Sequence, residues 1–173
     1  MSCTIHQPAA AGFQESTAER RALFLLFGAT FLLRLVFAFH YSFDSDEPQH
    51  LHVIWGWTSG LLQYRDVFDN HTPLFHLLFS PLLSLWGESA DVLYVMRLSM
   101  IPLFAAALWI THAIGKELFS QRVGVWAALL AGLFPAFFLC SVEFRTDNLW
   151  TVFWLLAVIC TIKANLTPAR ALL

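Results

Sequence analysis

Charge is scarce in this chain. Only 13% of the 173 residues are Asp, Glu, Lys or Arg, whereas 58% are hydrophobic and 16% aromatic, with 17 Phe and 7 Trp. A soluble domain carries about 25% charged and about 45–50% apolar residues. One of this length has too much surface for its volume to hide such an apolar load. That composition excludes an ordinary soluble domain and defines a polytopic membrane protein. A net charge of −2 supplies no basic footprint, so no nucleic-acid partner is expected. Cysteine is thin as well: Cys3 lies in a polar tail, and Cys140 and Cys160 lie in apolar runs. With no CxxC pair, neither a disulfide framework nor a thiolate metal site follows. HExxH, GxSxG, the P-loop and GxGxxG are all missing, which disfavours a membrane metalloprotease and an ATP-driven pump. His50 and His52 are no zinc pair by spacing, because positions i and i+2 of a helix face apart.

The apolar residues are concentrated in runs. A spanning helix needs about 20 mostly apolar residues. Runs 22–43, 93–114 and 123–142 reach that length, and 149–163 is shorter, adequate only with Asp147 and Lys163 at its two interfaces. The first reads as an uncleaved anchor, since Arg34 interrupts it and no small-x-small cleavage site follows. Residues 73–86 are short for a span and contain Pro73, His76 and Pro81, which suits an interfacial helix. A second interfacial helix is predicted over 48–60. Pro48 fits a first turn with Asp46 or Glu47 at or before the N-cap, and Leu51, Ile54, Trp55, Thr58 and Leu62 follow on one face. The predicted fold is therefore all-α, with about four transmembrane helices and two interfacial helices in the first outer loop, 44–92.

Lysine and arginine set the orientation. With the polar tail 1–21 inside, the loop 115–122 carrying Lys116 and Arg122 is inside, as is the tail 164–173, and the loop 143–148 is outside. Nearly every acid then lands on the outer face: Asp44, Asp46, Glu47, Asp66, Asp69, Glu88, Asp91, Glu143 and Asp147. Three stretches carry the candidate chemistry. FDSDEPQH holds Asp44, Asp46 and Glu47, like charges that raise one another's pKa unless donors or a cation compensate. DNHTP adds Asp69 and His71 just before the second interfacial helix, and EFRTDN adds Glu143, Arg145 and Asp147. Each can equally be a solvated acidic turn. Arg34 and Arg97 lie within apolar runs, where they can snorkel to the interface or hold an anionic group.

Taken in order, DSDE after the first span, GLLQYRDVFDNHTPLFHLL, YVMRLSMIPLFAAALWITHAIGKELF and EFRTDNLW resemble the GT-C superfamily of polytopic glycosyltransferases. The likeness is to the glycosyltransferase family 39 branch, which includes protein O-mannosyltransferases and lipid A aminoarabinose transferases. It covers the chain from about residue 20 onward. The resemblance implies a hexosyl- or pentosyltransferase that inverts the anomeric centre and takes its sugar from a polyprenyl phosphate. It implies work at the outer face of a bacterial inner or cell membrane on a glycan, lipid or protein acceptor. Asp46 falls where the family has its essential loop aspartate, the base for the acceptor, with Glu47 as its companion. His71 stands where some members carry a glutamate that contributes to a metal site, with Asp69 as the substitute. Asp147 matches an aspartate at the start of the fourth span, and Asp44 and Glu143 are supporting acids. The departing lipid phosphate needs a cation, with Arg97, Arg34, Arg145 or a divalent metal ion as the candidates. Family members run to several hundred residues, so the chain reads as an N-terminal portion. The rival readings are a transporter or lipid-binding module, which would use the same acids, and a non-catalytic membrane subunit.

Overall fold

The computed structural model describes residues 16–171, so most of the expected tail 1–21 and the last two residues of the expected tail 164–173 lie outside the described residues. Within them the chain is helical with no strand. In order, the helices are α1 (Thr17–His40), α2 (Asp46–Thr58), α3 (Leu74–Trp86), α4 (Val92–Leu98), α5 (Ile101–Leu118), α6 (Gln121–Leu133), α7 (Pro135–Val142) and α8 (Thr146–Ala171).

Among the described residues, three helices are long and apolar enough to cross a membrane: Thr17–His40, Val92–Leu118 (α4 and α5 together) and Thr146–Ala164. A fourth crossing is available if α6 and α7, bent by 66°, count as one broken span. The run expected as a continuous helix over 123–142 is thus interrupted. Pro135 cannot donate a helical hydrogen bond, and its ring pushes Phe134 into an extended conformation, φ −64° and ψ 118°. The first helix starts earlier than the apolar run at residue 22 because Ser16 caps it. Its side chain accepts from Glu19 N at 3.1 Å, the reciprocal spacing of a capping box.

The two short helices in 44–92 are present, at 46–58 and 74–86 in place of 48–60 and 73–86. α2 stops at Thr58, and Gly60 follows with φ 77°, a left-handed turn suited to glycine. The buried face of α2 differs from the apolar stripe read from sequence. It comprises Glu47, His50, Val53, Ile54 and Gly56, while Thr58 and Leu62 are exposed. Polar residues occupy that face because they find partners there, as described below.

α2 and α3 pack as a hairpin over a core of Ile54, Phe75, Phe79, Met96, Met100 and Phe144. The Phe144 ring lies 4.8 Å from Phe75 and 5.4 Å from Phe79, so the loop between α7 and α8 plugs the base of the hairpin. α5 lies along α6 and α8. At its crossing with α6 the backbones nearly touch: a Cβ on Gly115 would come 2.8 Å from Gly124 Cα, and one on Gly124 would come 2.9 Å from Lys116 N. Large apolar side chains point outward on α1 and α8, among them Phe24 at 78% exposure and Trp150 at 65%. That pattern matches helices whose solvent is hydrocarbon.

Candidate active site

The site lies where α1 ends, α2 begins and α7 turns into α8. Its local folding starts with Asp44. The Asp44 carboxylate accepts from Asp46 N at 3.0 Å, and Glu47 reaches back to accept from Asp44 N at 3.0 Å. Asp44 and Glu47 thus exchange hydrogen bonds with the backbone at the entry to α2, where Ser45 holds the N-cap position that the spacing assigns to Asp46 or Glu47. The signal was present in the four residues themselves, since Asp-x-x-Glu has the reciprocal spacing.

Starting the helix at this point separates Asp46 from Glu47. Glu47 turns inward and is fully buried. Its carboxylate accepts from Arg97 Nη2 at 2.6 Å and Nε at 2.8 Å, and from Phe144 N at 2.9 Å. Arg97, also buried, spends its remaining N–H groups on the carbonyls of Ala38, Tyr41 and Ser42 at 2.8–3.2 Å. All five guanidinium donors are thereby engaged within the protein. This pair ties the end of α1, the start of α2, α4 and the α7–α8 loop together. Arg97, expected at the donor phosphate, is placed as a strut with no N–H left over for a ligand. Arg34 is equally buried, donating to the Oγ of Ser141 at 2.6 Å and to its carbonyl, with its guanidinium 4.4 Å from the Phe104 ring centroid.

Asp46 turns the other way, toward a cluster around Arg145. Arg145 Nη2 lies 2.8 Å from Asp46 Oδ2, Nη1 lies 3.2 Å from Glu143 Oε2 and 3.9 Å from Asp44 Oδ1, and Nε lies 3.2 Å from Asp147 Oδ2. One guanidinium thus holds four carboxylates, and it supplies the offset that the Glu143–Asp147 pair requires. Exposure is graded: the side chains of Asp147, Asp44 and Asp46 are 63%, 40% and 37% exposed, while Glu143 is 8%. Burial raises the Glu143 pKa above the usual carboxylate value, against the pull of Arg145. A groove of about 440 Å³ opens beside the cluster, lined by His71, Thr72, Thr146, Asp147, Trp150 and Phe153 among others. Carboxylates at the wet edge of such a groove can accept a proton from a polar group bound in it.

A third group lies deeper in the hairpin. His50 on α2 is one turn beyond Asp46, and it meets Asp69 of the connecting loop and His76 of α3. His50 Nδ1 is 3.1 Å from His76 Nε2, and Asp69 Oδ2 is 3.3 Å from His76 Nε2 and 3.9 Å from His50 Nδ1. All three side chains are buried. Burial, with His71 nearby, lowers the His50 pKa against the pull of Asp69. Burial likewise takes His76 down to about 4. Both rings are therefore neutral at pH 7. Two buried atoms of the group have no hydrogen-bond partner, Asp69 Oδ2 and His76 Nδ1. Asp69 Oδ1, by contrast, accepts from both the backbone N–H and the Nδ1 of His71 at 2.7 Å. His50, Asp69 and His76 could hold a metal ion. The sequence marked Asp69 and His71 for such a role and missed the two histidines. They are far apart in sequence, and the neighbouring histidine at i+2, His52, points away and stacks on Trp55 instead.

Helices long and apolar enough to span, a hairpin of two short helices and convergent carboxylates at one end place the chain among multi-pass membrane proteins. It belongs to the dolichyl-phosphate-mannose-protein mannosyltransferase family, whose model matches residues 70–173. Membership implies a membrane glycosyltransferase that depends on a polyprenyl-phosphate sugar. Neither the curated proteins nor the solved structures compared with the chain gave a match. The matched residues include Asp69, His71, His76, Arg97, Glu143, Arg145 and Asp147, whereas Asp44, Asp46 and Glu47 precede them.

Proposed function

We propose that the chain carries the acceptor-activating part of a glycosyltransferase that moves a sugar from a polyprenyl phosphate to an acceptor on the outer face, with inversion. The acidic end faces outward in this reading, and the end with Arg20, Arg21, Lys116 and Arg122 faces inward. The carrying observation is the division of labour within DSDE. Glu47 is consumed by Arg97, while Asp46 remains part-exposed, paired with Arg145 in the cluster that Asp147 joins to the groove. Asp46 takes the proton of the acceptor hydroxyl or amine as that atom attacks the anomeric carbon. The bond from that carbon to the phosphate oxygen breaks, and the lipid phosphate leaves on the opposite face of the sugar.

Arg145 positions Asp46 through the 2.8 Å contact. Asp44, Glu143 and Asp147 hold Arg145 in turn, and Asp69 and His71 support the neighbouring loop. Four carboxylates around one guanidinium leave a negative surplus, which repels the donor phosphate from this spot. The phosphate is therefore bound on the far side of the sugar, as inversion also requires.

The test is Asp46→Asn in membranes supplied with a labelled polyprenyl-phosphate sugar and an acceptor extract. The variant is expected to insert and fold as wild type while transfer falls to background. Turnover retained by Asp46→Asn would remove Asp46 from the role of base.

A further inference from the structure

We propose that His50, Asp69 and His76 bind one zinc-class divalent ion, with His71 holding the Asp69 carboxylate toward it. Geometry comes first. Zinc–nitrogen and zinc–oxygen bonds of about 2.0–2.2 Å in a tetrahedron place neighbouring ligand atoms roughly 3.3–3.5 Å apart. The three ligand atoms here are separated by 3.1, 3.3 and 3.9 Å. One centre can therefore touch all three with almost no side-chain movement. Second, the group is unfavourable by itself. A hydrogen bond between His50 Nδ1 and His76 Nε2 satisfies two nitrogens, yet it leaves Asp69 Oδ2 buried with no donor. An unpaired buried charge is costly, and a cation at the centre of the trio removes the deficit.

Third, the surroundings match those of a metal ligand set. Metal-bound carboxylates are themselves oriented by hydrogen bonds from outside the site. Asp69 has that arrangement: its Oδ1 takes both the backbone and the ring N–H of His71, which leaves Oδ2 aimed at the two imidazoles. Two nitrogens and one oxygen in a buried setting favour zinc or its neighbours over magnesium and calcium, which take oxygen ligands and keep their waters. Three protein ligands leave a fourth coordination position. The ion would clamp α2 to the loop and α3 from beneath Asp46, which precedes His50 by one turn.

The experiment uses the full chain, purified in detergent through a tag without histidine, stripped with chelator and titrated with Zn²⁺ or Co²⁺. One equivalent should bind, and bound Co²⁺ should give the intense visible absorption of a low-coordinate site. Magnesium and calcium in large excess should not displace it. Asp69→Asn and His76→Gln should each weaken binding by about 100-fold or more, and His71→Ala by about 10–100-fold. His52→Gln, on the outer face of α2, should bind as wild type. Should the ligand variants fail to fold, the coordination of wild type settles the matter. X-ray absorption showing two imidazoles and one carboxylate supports the site, and an aquo-type octahedral ion overturns it. A wild-type chain that takes up no zinc or cobalt, or an Asp69→Asn variant that binds equally, also overturns it. None of these readings depends on sugar transfer, and Asp46→Asn should keep its metal whatever becomes of its activity.

Discussion

Removing the charge of Glu47 tests whether the inner half of DSDE is structural. In Glu47→Gln the buried Arg97 guanidinium keeps its three carbonyl partners but loses its counter-charge. The amide nitrogen of the new side chain must also face Arg97 in either orientation, together with Asp44 N at one position or Phe144 N at the other, donor against donor. Losing one member of a buried pair costs about 3–5 kcal/mol, because the other charge is left uncompensated. A single orphaned backbone N–H adds about 1–3 kcal/mol if Phe144 N is the group that loses its acceptor. The expected loss for Glu47→Gln is thus at least about 3 kcal/mol. Asp46→Asn, one residue away, breaks only a half-exposed pair and should cost about 0–1 kcal/mol.

Unfolding in mixed micelles by titration with dodecyl sulfate, followed by tryptophan fluorescence, measures both values on one scale. A double-mutant cycle with Arg97→Met isolates the pair, since two adjacent groups in one network are not additive. The double variant should recover part of the loss, but not all of it, because the carbonyls of Ala38, Tyr41 and Ser42 stay unpaired. If Glu47→Gln unfolds within about 1 kcal/mol of wild type, as an exposed pair would allow, Glu47 is not the strut described here. Its inward turn would then need another explanation.

Glu143 offers a pH test whose sign is fixed by burial. Its folded pKa is raised, so the folded chain holds that proton at pH values where the unfolded chain has released it. The associated stability is present at low pH and is lost as pH rises through the folded pKa. Glu143→Gln should therefore gain on wild type as pH climbs from about 4 toward 7, and a difference in melting temperature that stays flat over that window refutes the assignment. Gly124→Ala should cost about 1–3 kcal/mol by forcing α6 off the backbone of α5. Gly28→Ala, where a new Cβ meets nothing within 4 Å, should instead gain about 0.5–1 kcal/mol from helix propensity. Equal effects at the two glycines in the same unfolding assay would mean that the close crossing is not tight.

The membrane helices were legible because hydrophobic length is a local quantity, and α1, α4 with α5, and α8 follow their apolar runs. The break at Phe134 is written in Pro135, but hydrophobic length does not register it, since the run continues apolar on both sides. The acidic end was legible as a collection, because the orientation rule gathers distant acids on one face without any knowledge of packing. Their pairing was not. Whether Arg145 or Arg97 answers a given carboxylate of DSDE depends on where four helix ends meet, since the Arg97–Glu47 pair alone spans 50 residues of sequence. The His50–Asp69–His76 group was hidden for the same reason. Two of its members lie on different helices of a hairpin, and periodicity on either helix marks them only as intrusions on an apolar face.

Adjacent acids take opposite roles here through helix geometry. Successive residues of an α-helix point about 100° apart, so a helix that starts at Asp46 cannot present both Asp46 and Glu47 to the same environment. The reciprocal bonds of Asp44 and Glu47 fix that start, because Asp44 holds Asp46 N and Glu47 returns to Asp44 N. Once Glu47 is committed to Arg97 inside, Asp46 must face the wet side, where Arg145 meets it. Inserting one residue between Asp44 and Asp46 would leave the composition of the loop almost unchanged, yet it would break these reciprocal bonds and rotate both acids. Such an insertion should therefore abolish transfer and cost stability together, whereas Asp46→Asn should separate the two.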